Sequence, residues 1–117
     1  MKMKFMANVL KNKIRDHLLR KNNQITYVEA KELMQENPST ILLDVRSKQE
    51  YDEYHLEGAL CIPLYELPIK IENIIENKQQ VMIVYCQSCM RSQKAVQILE
   101  RMGYENLYQI EGGIDHI

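Results

Sequence analysis

Apolar residues in this chain fall into two kinds of pattern: short continuous runs, and stretches in which they recur every three or four positions. The runs are Ile41-Leu42-Leu43, ALCIPL at 59–64, VMIVY at 81–85 and NLYQI at 106–110. Continuous runs this short suit strands buried on both faces, and Pro63 stops the second. Between them lie four helical patterns. TYVEAKELMQEN opens with Thr26 and Glu29 as a capping box and offers Val28, Leu33 and Met34 to the core. SKQEYDEYHLEG opens at Ser47 and closes before Gly58, and LPIKIENIIENK tolerates Pro68 in its first turn. SQKAVQILERMG starts near Ser92 and ends at Gly103. Ahead of these, Met3, Met6, Leu10, Ile14 and Leu18 make one face of a helix over residues 1–22. Strands alternating with helices predict a parallel sheet with crossover helices on both faces. The working site of such a sheet lies beyond the carboxyl ends of its strands, where Cys86 falls.

Charge divides the chain where the pattern does. Residues 1–21 hold seven Lys or Arg against Asp16 alone, a net of +6, so the other 96 residues sum to −7 within an overall −1. The expected organisation is a basic amphipathic helix at 1–22 and one domain at 23–117. The helix has three readings: packing its stripe on the body or on a second copy, lying on an anionic membrane surface, or docking on an acidic protein partner. The near-zero overall charge gives no call for nucleic acid. No apolar stretch approaches a membrane span, and the six-residue run Phe5–Leu10, broken by Asn8, is too short for a secretory signal. With three cysteines, two of them close together in a loop, the expectation is a cytoplasmic protein.

The chemistry concentrates in CQSCMRS, residues 86–92. A helix starting near Ser92 would aim its unpaired amides and positive dipole end at the loop, beside the fixed charge of Arg91. Thiols so placed ionise easily, with pKa values of about 3.5–7.5, so the loop suits a nucleophile. Four readings compete. A zinc site would need two further ligands from Cys61, His17, His55 or His116, none at zinc-knuckle spacing. A Cys86/Cys89 dithiol would make Cys89 the resolving thiol, although two residues and an arginine are expected before the helix. A phosphatase loop needs one more residue between its cysteine and its arginine. The fourth reading is a sulfur carrier, for which the tighter loop is the right size.

Beyond the loop, ILLDVRSKQEYDEYHLEGALCIPL and IVYCQSCMRSQKAVQILERMGYENLYQIEGGI resemble the single-domain rhodanese family in order and spacing over about residues 25–114. The matching positions are Asp44-Val45-Arg46, Glu50-Tyr51, His55, Gly58-Ala59, Pro63-Leu64, the loop from Cys86 to Ser92, and Gly112-Gly113. The resemblance implies an α/β fold with about five parallel strands flanked by helices. It implies that Cys86 takes sulfane sulfur from thiosulfate or a persulfide donor and passes it from its own persulfide to a thiol or cyanide. Gln87, Ser88, Cys89, Met90 and Arg91 would line the cradle and Ser92 would cap the helix. No metal or organic cofactor is implied. Two features depart from the family pattern. Cys89 stands where a glycine is usual, so that it is either strained, a second reactive thiol, or merely a small residue that fits. The sequence also stops at Ile117 where a tryptophan-containing tail is usual, which predicts a short or missing last helix. A non-catalytic interaction module is the remaining alternative. Asp44 and Arg46 are expected to tie neighbouring loops together, with Arg46 reaching toward the site mouth as the sharper reading. His55 is expected to fix a loop, Cys61 to be a small buried hydrophobe, Tyr85 to stack near the cysteine, and Met90 to supply pocket wall.

Overall fold

The computed structural model describes residues 23–117. The helix expected over 1–22 lies outside the described residues. Five parallel strands form one sheet: β1 (Gln24–Ile25), β2 (Ile41–Asp44), β3 (Leu60–Cys61), β4 (Met82–Tyr85) and β5 (Leu107–Ile110), in spatial order β1-β5-β4-β2-β3. Four α-helices connect them: α1 (Tyr27–Glu36), α2 (Lys48–Glu53), α3 (Leu67–Ile74) and α4 (Met90–Arg101). The four strands read from apolar runs are present. The pattern gave no separate reading of β1, whose two residues carry no run of their own.

Local chemistry sets the helix starts. Thr26 accepts from the Glu29 amide at 3.1 Å, and Glu29 accepts from the Thr26 amide at 2.8 Å, which is the expected capping box. Ser47 and Glu50 make a second one, opening α2. Pro68 sits in the first turn of α3.

Leu42 and Leu43 face opposite sides of the sheet, so both faces are apolar and both are covered. One cluster joins Leu43, Met82, Val84 and Leu107 to Leu67 and Ile71 of α3 and Ala95, Val96 and Leu99 of α4. The other joins Leu42, Ile83, Tyr85 and Ile110 to Ala30 and Leu33 of α1. Val28 departs from expectation: it is 59% exposed, because the stripe of α1 that meets the sheet runs through Ala30 and Leu33. The central strand is β4, and its carboxyl end delivers Cys86. The segment after β5 carries a single 3-10 turn, Ile114–His116.

Candidate functional site

Cys86 leaves β4 on the face covered by α4 and is 1% exposed. Its sulfur accepts hydrogen bonds from the amide of Cys89 at 3.0 Å and from the amide of Ser92 at 3.3 Å. Helix α4 begins at Met90, two residues earlier than the expected start near Ser92, and Cys89 is its N-cap. The Cys89 side chain makes no capping hydrogen bond to the helix. The third amide of a helix ordinarily finds its acceptor on the N-cap side chain, and here the third helical residue is Ser92. The Cys86 sulfur therefore occupies the acceptor position that closes the helix, in line with the positive end of the dipole. Two expectations are corrected. Ser92 does not cap the helix but sits inside it, and the two-residue spacer between Cys89 and the helix does not exist.

The early start depends on backbone geometry at Cys89, whose φ is +92°. A residue with a Cβ enters this left-handed region at a cost of about 1–2 kcal/mol. The usual glycine is thus replaced at a position that does require positive φ. Its thiol is engaged away from Cys86, 3.6 Å from Gln109 Oε1 and 3.8 Å from the Ile110 carbonyl, with Gln24 Nε2 at 3.6 Å. No disulfide is present among the described cysteines.

From the other side the loop is held by the segment after β5. The carbonyls of Cys86 and Gln87 accept from the amides of Ile114 and Asp115, both at 3.0 Å. Gly113 packs directly on these carbonyls: a Cβ there would meet the Cys86 oxygen at 2.5 Å. With its carbonyls committed outward, the loop can turn its amides in.

Arg91 interacts electrostatically with Cys86 and has a carboxylate partner besides. It makes a two-pronged pair with Glu50, at 2.6 and 2.9 Å, with both side chains half-buried. Glu50 also closes the α2 capping box, so the start of α2 fixes the direction in which Arg91 points. The Arg91 guanidinium, helped by the Ser47 hydrogen bonds, holds the Glu50 carboxyl well below the usual range, at about 2. A carboxylate lowered by folding stabilises the fold above its unfolded pKa of 4.5 and loses that contribution as pH falls toward 2. Melting temperature should therefore drop through this acid window, and Glu50→Gln should flatten that part of the profile. Because the pair is half-exposed, the effect is modest and is reduced by salt.

Asp44 and Arg46 are buried and tie the loops together. Arg46 donates to both Asp44 carboxylate oxygens, to the Tyr54 carbonyl at 2.6 Å and to Gln87 Oε1 at 3.2 Å. This is the loop-tying role expected of the pair, and the Gln87 contact links it to the reactive loop. Gln87 also donates to Asp115 at 2.6 Å, which leaves Ser88 and Met90 as the exposed rim, Met90 at 70%. His55 stacks on Tyr51 with centroids 3.7 Å apart and bonds its carbonyl, which fixes that loop. Tyr85 is not stacked at the cysteine. It lies buried on the opposite sheet face and accepts from the Leu56 amide, and burial and Asp44 push its phenol up. Cys61 is half-buried, not fully buried as expected, and desolvation raises its pKa, which disfavours the thiolate. Among the described residues no three of His, Cys, Asp and Glu gather as a metal site.

Fold and loop together define a parallel α/β domain whose central strand presents a cysteine to a helix N-terminus. The profile of the rhodanese-like domain matches residues 26–117, and the chain belongs to that family. A rhodanese from E. coli, solved with anions, is 33% identical, covers 67% of this chain and 91% of its own, and has a TM-score of 0.61. A rhodanese-like domain protein from Staphylococcus aureus is 29% identical over 80% of this chain and 89% of its own, with a TM-score of 0.72. The tRNA uridine(34) hydroxylase of Photorhabdus laumondii is 30% identical across 97% of this chain, a match that reaches into residues ahead of 26. The chain spans about a third of that relative's length, 34%.

Proposed function

We propose that the domain is a sulfur carrier, with Cys86 the atom that is loaded and unloaded. The observation that carries this reading is the pair of amides, from Cys89 and Ser92, converging on a sulfur that takes the place of a helix cap. Hydrogen bonds to the charged form favour it, and an anion at a helix N-terminus gains from the dipole as well. The Cys86 thiolate attacks the outer sulfur of thiosulfate, the sulfur–sulfur bond breaks, and sulfite leaves with its electron pair. The product is a Cys86 persulfide anion, held by the same amides. A thiolate or cyanide then attacks the outer sulfur and restores the Cys86 thiolate. An alkyl persulfide donor follows the same course, with a thiolate leaving. The sulfur is nearly enclosed, and Ser88 and Met90 are the exposed residues of its loop. Gln87, Cys89 and Ser92 shape the cradle, and the Arg91 guanidinium acts on Cys86 through its charge.

The position of the Cys89 thiol supports the carrier over a Cys86/Cys89 dithiol mechanism. Its neighbours are Gln109, Ile110 and Gln24, and its own contribution to Cys86 comes from the backbone. Cys89→Ser is expected to take up one sulfur from thiosulfate as the parent does, read by whole-protein mass. Loss of turnover with a trapped persulfide would favour the dithiol.

A second reading rests on the tRNA uridine(34) hydroxylases, which match this chain almost end to end. In it the same domain serves the modification of a tRNA uridine, with the +6 arm at residues 1–21 as the phosphate contact. This departs from the absence of nucleic acid expected from the overall charge. Nucleoside analysis of tRNA from cells carrying and lacking the protein separates it from a carrier of sulfur to small acceptors.

A further inference from the structure

Helix α3 is apolar on two sides. Leu67 and Ile71 point inward and are fully buried in the cluster that contains Cys86. A second apolar row points outward: Tyr65, in the 3-10 turn Leu64–Glu66, then Pro68 and Ile69 at spacings of three and four. Tyr65 is 76% exposed and Ile69 77%. A surface helix ordinarily turns polar residues outward, and one that is apolar all round is covered on every side. Here the outer row is left bare, and a bare apolar ridge marks a place of contact.

Topology puts the ridge at the reactive end of the sheet. Helices that join parallel strands begin at the carboxyl ends of those strands, where Cys86 lies. Tyr65 and Ile69 stand at the start of α3, and Met90, itself exposed, is the first residue of α4. The two helices pack on each other over one face of the sheet. The turn that holds Tyr65 also packs on α4, and its Leu64 amide donates to the Val45 carbonyl just past β2 at 3.1 Å.

Charge narrows what can sit there. Residues 22–117 carry a net −7. Lys70 and Lys78, the two lysines of this segment, are paired with Glu66 and Glu72, so neither is free for a phosphate. A nucleic acid or an anionic bilayer would meet like charge, whereas a basic protein gains from the field. Cyanide and thiosulfate have no apolar surface to bury on the ridge.

We propose that Tyr65, Pro68 and Ile69 form the docking ridge for a basic protein that brings a cysteine, set among apolar residues, to the loaded sulfur. The inference rests on the carrier reading and names its acceptor. The partner's thiolate attacks the outer sulfur of the Cys86 persulfide and the bond between the two sulfurs breaks. Cys86 leaves as a thiolate with the electron pair, and the partner holds the persulfide. A ridge this small suits a contact that must also release.

The test uses the full chain and three short synthetic peptides, each with one cysteine. The first sets the cysteine between leucine and phenylalanine with lysines around them. The second has serines for the two apolar residues, and the third has glutamates for the lysines. Second-order rates of sulfur transfer from the loaded protein are compared for the parent and for Tyr65→Ser/Ile69→Ser, with cyanide as a parallel acceptor. The parent should favour the first peptide over each of the others by about tenfold or more. In the variant the preference over the serine peptide should vanish while the rate to cyanide stays at the parent's value.

Equal rates for the three peptides in the parent, or a preference that the variant retains, overturns the proposal. A proportional loss of transfer to cyanide also overturns it, because the two residues would then serve the loop and not a partner. So does light scattering that shows an oligomeric parent and a monomeric variant, since the ridge would then seat a second copy. A parent that takes up no sulfur refutes the carrier reading instead. The ridge is then judged by binding of the first peptide with serine in place of its cysteine: the parent should bind it about tenfold more tightly than the variant, and equal binding overturns the proposal.

Discussion

Cys86→Ser will abolish transfer of sulfur from thiosulfate to cyanide, with a fall of at least about a thousandfold in thiocyanate release. The size follows from the chemistry. A serine hydroxyl at the same place would receive the same two amides but stays protonated near neutral pH, and oxygen does not form a stable sulfur-bearing link there. The fold should survive, because serine is a good helix cap and can accept the amide bonds of Cys89 and Ser92. A folded but inactive protein is the expected pair of observations, from circular dichroism and the thiocyanate assay. The other thiols cannot substitute: Cys61 is disfavoured as a thiolate by burial, and Cys89 faces Gln109.

Gly113→Ala will be the most damaging change outside the loop. The backbone there has φ +66° and ψ −160°, a region that residues with a side chain essentially do not enter. A Cβ would also sit 2.5 Å from the Cys86 carbonyl and 2.6 Å from that of Gln87, and both contacts are to backbone, which cannot rotate away. Strain and clash together should cost about 3 kcal/mol or more. The loop must shift, its carbonyls lose the amides of Ile114 and Asp115, and the inward amides lose their aim at the sulfur. Sulfur uptake should fall more than about tenfold even in the fraction that stays folded. Gly58→Ala is the control. Its φ is +83° but nothing lies within 4 Å of the added Cβ, so only backbone strain of about 1–2 kcal/mol is expected, with no effect on transfer. Denaturant unfolding of both variants alongside the thiocyanate assay separates the two cases.

What the sequence disclosed follows the range of the forces involved. Strands with continuous apolar runs declared themselves because β2 and β4 are buried on both faces. The starts of α1 and α2 were legible because capping boxes are local, spanning Thr26 to Glu29 and Ser47 to Glu50. The start of α4 was not, since its cap is a cysteine three residues upstream of the N-cap and not a side chain that propensity recognises. Serine is a common cap, and so Ser92 drew the helix boundary to itself. The partner of Arg91 was not legible for a different reason: Glu50 lies 41 residues away, and only the fold brings them together. β1 was not read as a strand because two residues make no periodic pattern. Gln109, a partner of the Cys89 thiol, passed unremarked inside the apolar-looking NLYQI, although a lone carboxamide in a buried strand was the available signal.

The central claim is that converging amides let one enclosed sulfur take on a second. Whole-protein mass spectrometry of the full chain before and after incubation with thiosulfate tests this most directly. The account predicts a gain of one sulfur atom, reversed by cyanide and absent in Cys86→Ser. An unchanged mass in the folded parent, or a gain that persists without Cys86, would contradict it.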